Sequence, residues 1–361
     1  MSFALNFFRQ VASEKEGNLF ISSASVLTAM AIATAAADGN TETELSAVLD
    51  LTGSYEQKHA SLGSVCQLLQ TEYLSLANRF YVNDEFDLKA PYSSFVSDVY
   101  QVKVSGVDVT EPESEAARIN LWVEKKTNDK IKDIIKPSMI DGNLFAFLIN
   151  AIAYKGEWIN KFDKSRTSDA GWTLPGDEGT VQVPRMHKTF DEIPYKRSEK
   201  FHSISLDLQG DVAMVLVLPT NGSTLNEVIA TISEEDITSV PGGYKTEVVV
   251  GLTKWQFGGT YSLVDTFKAL GVNDAFSDSD ANFSRMADRQ VYISDIIHKT
   301  FIKVDEEGAE MAAATVVKFA LECCSMPLMF LTEQPFIYFA VDKNTKTILF
   351  SGRCSDPRKT E

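Results

Sequence analysis

Apolar positions change their period several times along the chain, and each change marks an element. Phe3, Leu5, Phe7, Phe8 and Val11 share one face of an opening amphipathic helix. Asn18 to Ser22 predicts a short strand, and Ser25 to Ala37, apolar nearly all round, a buried helix. Asp38-Gly39-Asn40 stops that helix, and Thr41 with Glu44 has the form of a capping box for the next. Leu74, Leu76 and Asn78 alternate with Ser75, Ala77 and Arg79 towards a strand ending near Val82, and Val102 to Val109 predicts another. Ala116, Ile119, Val123, Ile131 and Ile134 keep a helical spacing from Glu113 to Lys136, where Pro137 ends it. Leu144 to Tyr154 is a continuous apolar run, the mark of a strand buried on both faces. Past Trp158 the chain turns β-rich over 181–184, 203–208, 212–218 and 247–257, with a helix over 262–270. Phe336–Val341 and Thr347–Ser351 close it as a hairpin around Asp342–Thr345.

Helices crowd the first half and strands the second, yet the buried run at Leu144 belongs with the later strands, and no repeat or linker divides the chain. The pattern predicts one α+β domain over residues 1–361 with several sheets. A length of 361 residues with 44% apolar content supports one large core or two ordinary ones. No apolar run is long enough to span a membrane. The formal charge of −16 argues against nucleic-acid and membrane-surface partners, because phosphate binding needs clustered cations. Lys125, Lys126, Lys130 and Lys132 read as a solvated helix face. Cys66, Cys323, Cys324 and Cys354 are too few and irregular for a disulfide framework, and free thiols favour a reducing compartment. The start shows no cleavable signal peptide, whereas the sequons at Asn221 and Asn282 are compatible with secretion. Cytoplasmic and extracellular locations both stay open.

The most informative stretch is 299–327. A strand with Ile302 and Val304 on one face leads into the acidic elbow Asp305-Glu306-Glu307-Gly308, then into the small residues Ala309, Ala312, Ala313, Ala314 and Thr315, with no proline before Pro327. By propensity this is an alanine-rich helix; equally, small side chains without proline suit a segment that slides between two strands of a packed sheet. Glu306-Glu307-Gly308-Ala309-Glu310-Met311-Ala312-Ala313-Ala314-Thr315 resembles the reactive-loop hinge of the serpins, the serine protease inhibitor superfamily. The resemblance extends from about Asn18 to Cys354, through Asn150-Ala-Ile-Ala-Tyr-Lys-Gly-Glu-Trp158, Val215-Leu-Val-Leu-Pro219, Asp280-Ala-Asn-Phe-Ser284, His298-Lys299, Gln334-Pro-Phe-Ile337 and Leu349-Phe-Ser-Gly352.

That resemblance implies a serpin fold of about nine helices and three β-sheets with an exposed reactive-centre loop, hinge and loop occupying residues 306–326. It implies that Ser22, Ser25, Asn150 and His298 form a structural shutter beneath the main sheet, and that Trp158 belongs to the breach at its top. Ser23 replaces the proline usual between the two serines. It implies a target serine protease as covalent partner, no cofactor or metal, and a monomer. No hydrolase, metalloprotease or nucleotide-binding motif competes, and the four histidines are scattered. Heparin regulation is not expected, since Gln57–Thr71 holds only Lys58 and His59 as basic groups.

Counting from Gly308 to the family's usual cleavage position gives Glu322-Cys323 as the scissile bond, and Leu321-Glu-Cys-Cys324 resembles the loop of the intracellular serpin that inhibits granzyme B. Leu321 or Phe319 is the alternative recognised residue, with chymotrypsin- or elastase-like targets. The expected activity is suicide-substrate inhibition, in which the cleaved loop enters the main sheet between the strands ending near Tyr154 and Val304. Ala309, Met311, Ala313 and Thr315 would form its buried face, and Met311, where small residues are usual, would let some encounters end in plain cleavage. Oxidation at Cys323 and Cys324 would alter inhibition. The alternative class is a non-inhibitory carrier or chaperone of the same fold.

Overall fold

The computed structural model describes residues 3–69, 71–141, 146–154, 156–220, 222–308 and 328–360. Among these, nine α-helices and fourteen strands follow one another. The first half runs α1 (Phe3–Glu14), β1 (Leu19–Ile21), α2 (Ser23–Ala36), α3 (Gly39–Val48), α4 (Tyr55–Leu68), β2 (Leu74–Asn83), α5 (Ala90–Tyr100), β3 (Val104–Val107), α6 (Pro112–Lys126) and β4 (Ala146–Tyr154). Then come β5 (Thr167–Thr173), β6 (Thr180–Arg197), β7 (Phe201–Leu208), β8 (Val212–Pro219), α7 (Leu225–Thr231) and α8 (Glu234–Thr238). The chain closes with β9 (Lys245–Thr253), β10 (Trp255–Ser262), α9 (Val264–Leu270), β11 (Ile293–Val304), β12 (Leu328–Leu331), β13 (Phe336–Asp342) and β14 (Ile348–Cys354). No described helix is long and apolar enough to cross a membrane.

The chain forms two units, neither contiguous in sequence: residues 1–14, 21–153 and 259–301, and residues 15–20, 154–258 and 302–361. In the first, α2 packs against α1, α4, α5 and β2. Thirteen of its fourteen residues are buried, which is why its sequence lacks a polar face. The sheet order is β10-β11-β4-β2-β3. β4 is buried along its whole length, as its apolar run predicts, and pairs in parallel with β11 from Ile293↔Ala146 to Phe301↔Ala153. Phe147, Ile149, Ala151 and Ile297 join Ile119 and Val123 of α6 and the buried Ile131, Ile134 and Ile135 in one cluster.

In the second unit the ladder β14-β13-β8-β7 continues into β6. The 18-residue β6 serves two sheets: Tyr195–Arg197 pair with β7, while Arg185–Pro194 pair with β9, which carries β12. The three expected sheets are thus present, two of them joined through β6. Phe20 stacks on Phe350 with ring centres 5.0 Å apart, and Trp255 meets both Phe336 and Tyr338. Among the described residues, Cys66 and Cys354 are free, buried thiols. Burial pushes the Cys66 thiol up to about 12, so it is inert as a nucleophile.

Two local readings are corrected. Helix α3 starts at Gly39, with Asp38 at its N-cap, so Thr41 and Glu44 lie inside it rather than forming a capping box. Their side chains are spent on tertiary contacts: Thr41 Oγ1 accepts the Asn282 N–H (2.9 Å), and Glu44 accepts those of Asn273 and Asp274. Helix α6 stops at Lys126, ten residues short of Lys136. Thr127 Oγ1 accepts the Ile131 N–H, Asn128 and Asp129 have positive φ, and Asn120 Oδ1 accepts the Ile135 N–H. These side chains satisfy an irregular backbone that buries Ile131, Ile134 and Ile135 without a helix.

Candidate functional site

Two polar clusters occupy positions that the apolar pattern marks as core. The first lies in the first unit under the β4–β11 ladder. Ser22 caps α2, its Oγ accepting the Ser25 N–H at 3.1 Å, and its own N–H donates to His298 Nε2 at 3.1 Å. Asn150 donates through Nδ2 to the Ser25 carbonyl (2.9 Å), to Ser25 Oγ and to Asn78 Oδ1. Asn78 donates to Thr28 Oγ1 (2.6 Å), which donates to the Ser25 carbonyl (2.7 Å). His298 and Asn150 are register partners and both are fully buried. All four residues expected together, Ser22, Ser25, Asn150 and His298, are therefore connected. Asn78 and Thr28 complete the network. Asn78 was detectable in principle, as the one amide on the Leu74/Leu76 face of β2; Thr28, on an all-buried helix, gave no signal.

Because the Ser22 N–H occupies Nε2, the ring is the neutral tautomer protonated at Nδ1. Burial lowers the His298 pKa to about 3, and the Asn150 main chain, which favours the proton, does not offset it. The cluster is a neutral hydrogen-bonded latch.

The second cluster lies in the second unit where β11 ends. Asp305–Gly308 turns back on itself: the Asp305 N–H donates to the Gly308 carbonyl (3.1 Å) and the Gly308 N–H to that of Asp305 (3.3 Å). Gly308 also bridges Glu157 in antiparallel sense. Trp158 holds the turn twice, its Nε1 donating to the Asp305 carbonyl (2.9 Å) and its N–H to that of Glu307 (3.0 Å). The Phe162 N–H donates to the Glu306 carbonyl (2.9 Å). Lys254 Nζ reaches both Glu306 carboxylate oxygens (3.0 and 2.8 Å), and Thr167 Oγ1 donates to one of them. Lys161 and Lys164 lie 3.3 and 3.0 Å from the Glu307 carboxylate. Burial raises the Glu306 carboxyl, but Lys254 and Thr167 outweigh it and hold it below its ordinary value; Lys164 and Lys161 do the same for Glu307.

Gly308 has φ of +117°, and a Cβ there would stand 2.4 Å from the Trp158 nitrogen and 2.6 Å from the Gly156 carbonyl oxygen. Only glycine fits both demands. The expectation that an exposed loop begins at Gly308 is corrected: Asp305, Glu306, Glu307 and Gly308 are all buried, because three lysines and Trp158 fasten the elbow. Lys161, Lys164, Thr167 and Lys254 escaped the sequence reading, since nothing in their local spacing ties them to residue 306. Residues 309–327, with the hinge positions Ala309, Glu310, Met311, Ala312, Ala313, Ala314 and Thr315, the bond Glu322-Cys323, and Leu321, Phe319 and Cys324, lie outside the described residues.

A family model described as serpin (serine protease inhibitor) matches residues 1–357. The leukocyte elastase inhibitor of Equus caballus is 32% identical over 372 residues, covering 98% of this chain and 97% of that protein. Serpin B3 of Homo sapiens is 31% identical, with 98% and 97% covered. Among solved structures, Serpin48 of the insect Tenebrio molitor superposes with a TM-score of 0.88 at 28% identity, covering 98% of this chain and 96% of that one.

Substituting Gly308→Ala is expected to lower the thermal midpoint of the intact protein by at least about 3 °C, since backbone strain alone costs about 1–3 kcal/mol. An unchanged midpoint in a melting scan would show that the elbow tolerates a side chain. A neutral buried His298 loses its advantage as pH falls below the ordinary value of 6.5, where the unfolded chain takes up the proton and the folded one does not until about 3. Near pH 5, His298→Gln, which keeps an acceptor for the Ser22 N–H, should flatten the decline of stability by about 1.4 kcal/mol per pH unit. Parallel slopes for both proteins in urea titrations between pH 6.5 and 5 would exclude this.

Proposed function

The chain belongs to the serpin family, whose members among its homologues are protease inhibitors rather than enzymes, and from that premise we propose that it traps a serine protease as a suicide substrate. The observation that carries the reading is the double bridge of Gly308, to Asp305 on one side and Glu157 on the other. The chain has already reversed there, at a position from which a strand antiparallel to both neighbours could continue. Below it, β4 and β11 pair directly with each other. Cutting the loop would let residues from Ala309 onward continue that strand, replacing one parallel ladder by two antiparallel ones, the more stable pairing per residue. Each added ladder bond contributes about 0.5–1.5 kcal/mol net, so about a dozen rival the roughly 5–15 kcal/mol that stabilises a whole domain.

Carried down the strands without a bulge, the Gly308 register brings Thr315 level with His298 and Asn150, which pair with each other. Register partners share a face, so Ala309, Met311, Ala313 and Thr315 would point to the side of the hydrogen-bonded latch. Ala312 and Ala314 would point towards the cluster that contains Ala151 and α6. Both faces demand small groups. Met311 would come level with Ile302 and the buried Tyr154, where its extra bulk slows entry without barring it.

In the same register β4 from Ala153 to Ala146 accommodates residues 312–319. Cleavage after Glu322 leaves a short link between the inserted strand and the acylated protease, cleavage after Leu321 a shorter one, and cleavage after Phe319 none. That favours Glu322, then Leu321, as the recognised residue. A glutamate there asks for a protease pocket that offers an arginine or lysine. Ser22, Ser25, Asn150 and His298 would act as the shutter resisting strand separation, Trp158 as the breach residue, and residues 1–361 as one working unit. Heparin finds little purchase on α4, whose single lysine, Lys58, is already paired with Glu42 at 2.6 Å. The carrier alternative has no comparable support, since it does not require Gly308 to stand where a strand would start.

Incubation with a panel of serine proteases is expected to yield a denaturant-resistant complex with an enzyme preferring acidic residues, loop masses placing the cut at Glu322-Cys323, and a large rise in the melting midpoint of the cleaved protein. Cleavage with neither complex nor stabilisation overturns the proposal. Met311→Ala should lower the share of encounters that end as free cleaved inhibitor at least twofold, read by titrating protease to the end point; an unchanged share would clear Met311 of that role.

A further inference from the structure

The second unit carries a surface cleft of about 530 Å³ beside β12, the terminal strand of its sheet. Met329 and Leu331 of β12 share the side that lines it, and Leu218 and Pro219 at the end of β8 add to its apolar part. The His202 ring lies 5.0 Å from that of Phe330. Burial, and then Arg197, hold this histidine below its ordinary pKa, so that wall is uncharged near neutral pH. The lining is fixed by contacts from several elements. Arg185, with 4% of its side chain exposed, holds the Glu333 carboxylate at 2.8 Å and donates to the Gly171 carbonyl at 2.6 Å. The Thr173 N–H donates to the Glu333 carbonyl (2.7 Å), and Gln334 Nε2 to that of Pro219 (3.1 Å). A Cβ on Gly251 would stand 2.7 Å from Leu331 Cδ2 and 2.9 Å from Arg185 Cδ, so glycine lets both side chains seat closely on β9.

Five large apolar side chains are exposed among the described residues, and Leu328 and Met329, at 37% and 54%, are the one consecutive pair. Arg197 and Glu199 line the same cleft, are exposed, and enter no ion pair among the described residues. An exposed apolar edge beside unpaired charges of both signs has the make-up of a recognition surface with a polar rim. Chain length says what stands over it. The six steps from Cys323 to Met329 span at most about 22 Å, at ~3.6 Å per residue. That is less than the ~30 Å diameter of a small domain.

We infer that this cleft is a second docking surface for the target protease, taken by a surface loop on the enzyme's leaving-group side. That loop sets an apolar side chain on Met329 and Leu331, a carboxylate against Arg197 and a cation against Glu199. The inference rests on the inhibitory reading above for its partner and adds to it. Glu322 selects the enzyme's primary pocket, and the cleft selects among enzymes that share that pocket. These contacts form before the bond is cut, so they strengthen the encounter and leave the division between trapping and plain cleavage unchanged.

The test uses the full-length protein and whichever panel protease cuts its loop fastest, with that enzyme's catalytic serine replaced by alanine. Such an enzyme docks without cutting, so the measurement does not depend on trapping. Calorimetric titration is expected to show affinity lowered at least fivefold by Met329→Lys and by Arg197→Glu, the second loss shrinking as salt is raised. Hydroxyl-radical footprinting of the wild-type complex needs no variant: oxidation of Met329 should slow at least threefold when the enzyme is bound. An unchanged Met329 oxidation rate, or affinities within twofold of wild type for both variants, overturns the docking surface. Should the active enzyme cut the loop without forming a resistant complex, the suicide-substrate reading falls and the docking test still decides.

Discussion

The parallel pairing of β4 with β11 is the constraint to which the rest of the first unit answers. A parallel ladder is slightly less stable per residue than an antiparallel one. The buried face of β4 and β11 carries the latch, and the other face carries α6 with its isoleucine cluster. On the insertion proposed above, an entering strand would pass between these layers, which is why small side chains on both of its faces would matter.

The two polar clusters are held together by different physics. Around His298 every partner is neutral and wholly buried, so the cost of losing one hydrogen bond is the desolvation of the group left behind. Around Glu306 and Glu307 the groups are charged and lie nearer solvent: Lys164 has 64% of its side chain exposed, against 5% for Glu306. The first cluster is a set of neutral, buried hydrogen bonds. The second is an anchor, tolerant of local movement because long lysine side chains follow the carboxylates.

Much of the fold was legible in the chain. The nine-residue β4, the all-buried α2 and the closing hairpin follow from unbroken or alternating apolar runs, because burial imposes those periods whatever the neighbours are. Motif likeness also placed Ser22, Ser25, Asn150 and His298 in one group; the structure bonds them to one another directly, with Asn78 and Thr28 as further members. The helix expected to reach Lys136 failed where Thr127 and Asn120 satisfied the backbone by side chains, a choice that periodicity does not register. What only the tertiary structure decided were the partners of like-looking charges. Lys254, Lys161 and Lys164 are ordinary surface lysines by composition, and Glu306 and Glu307 an ordinary acidic turn. Their pairing and the burial of Gly308 that follows from it are fixed by contacts across more than fifty residues of chain, where local propensity carries no information.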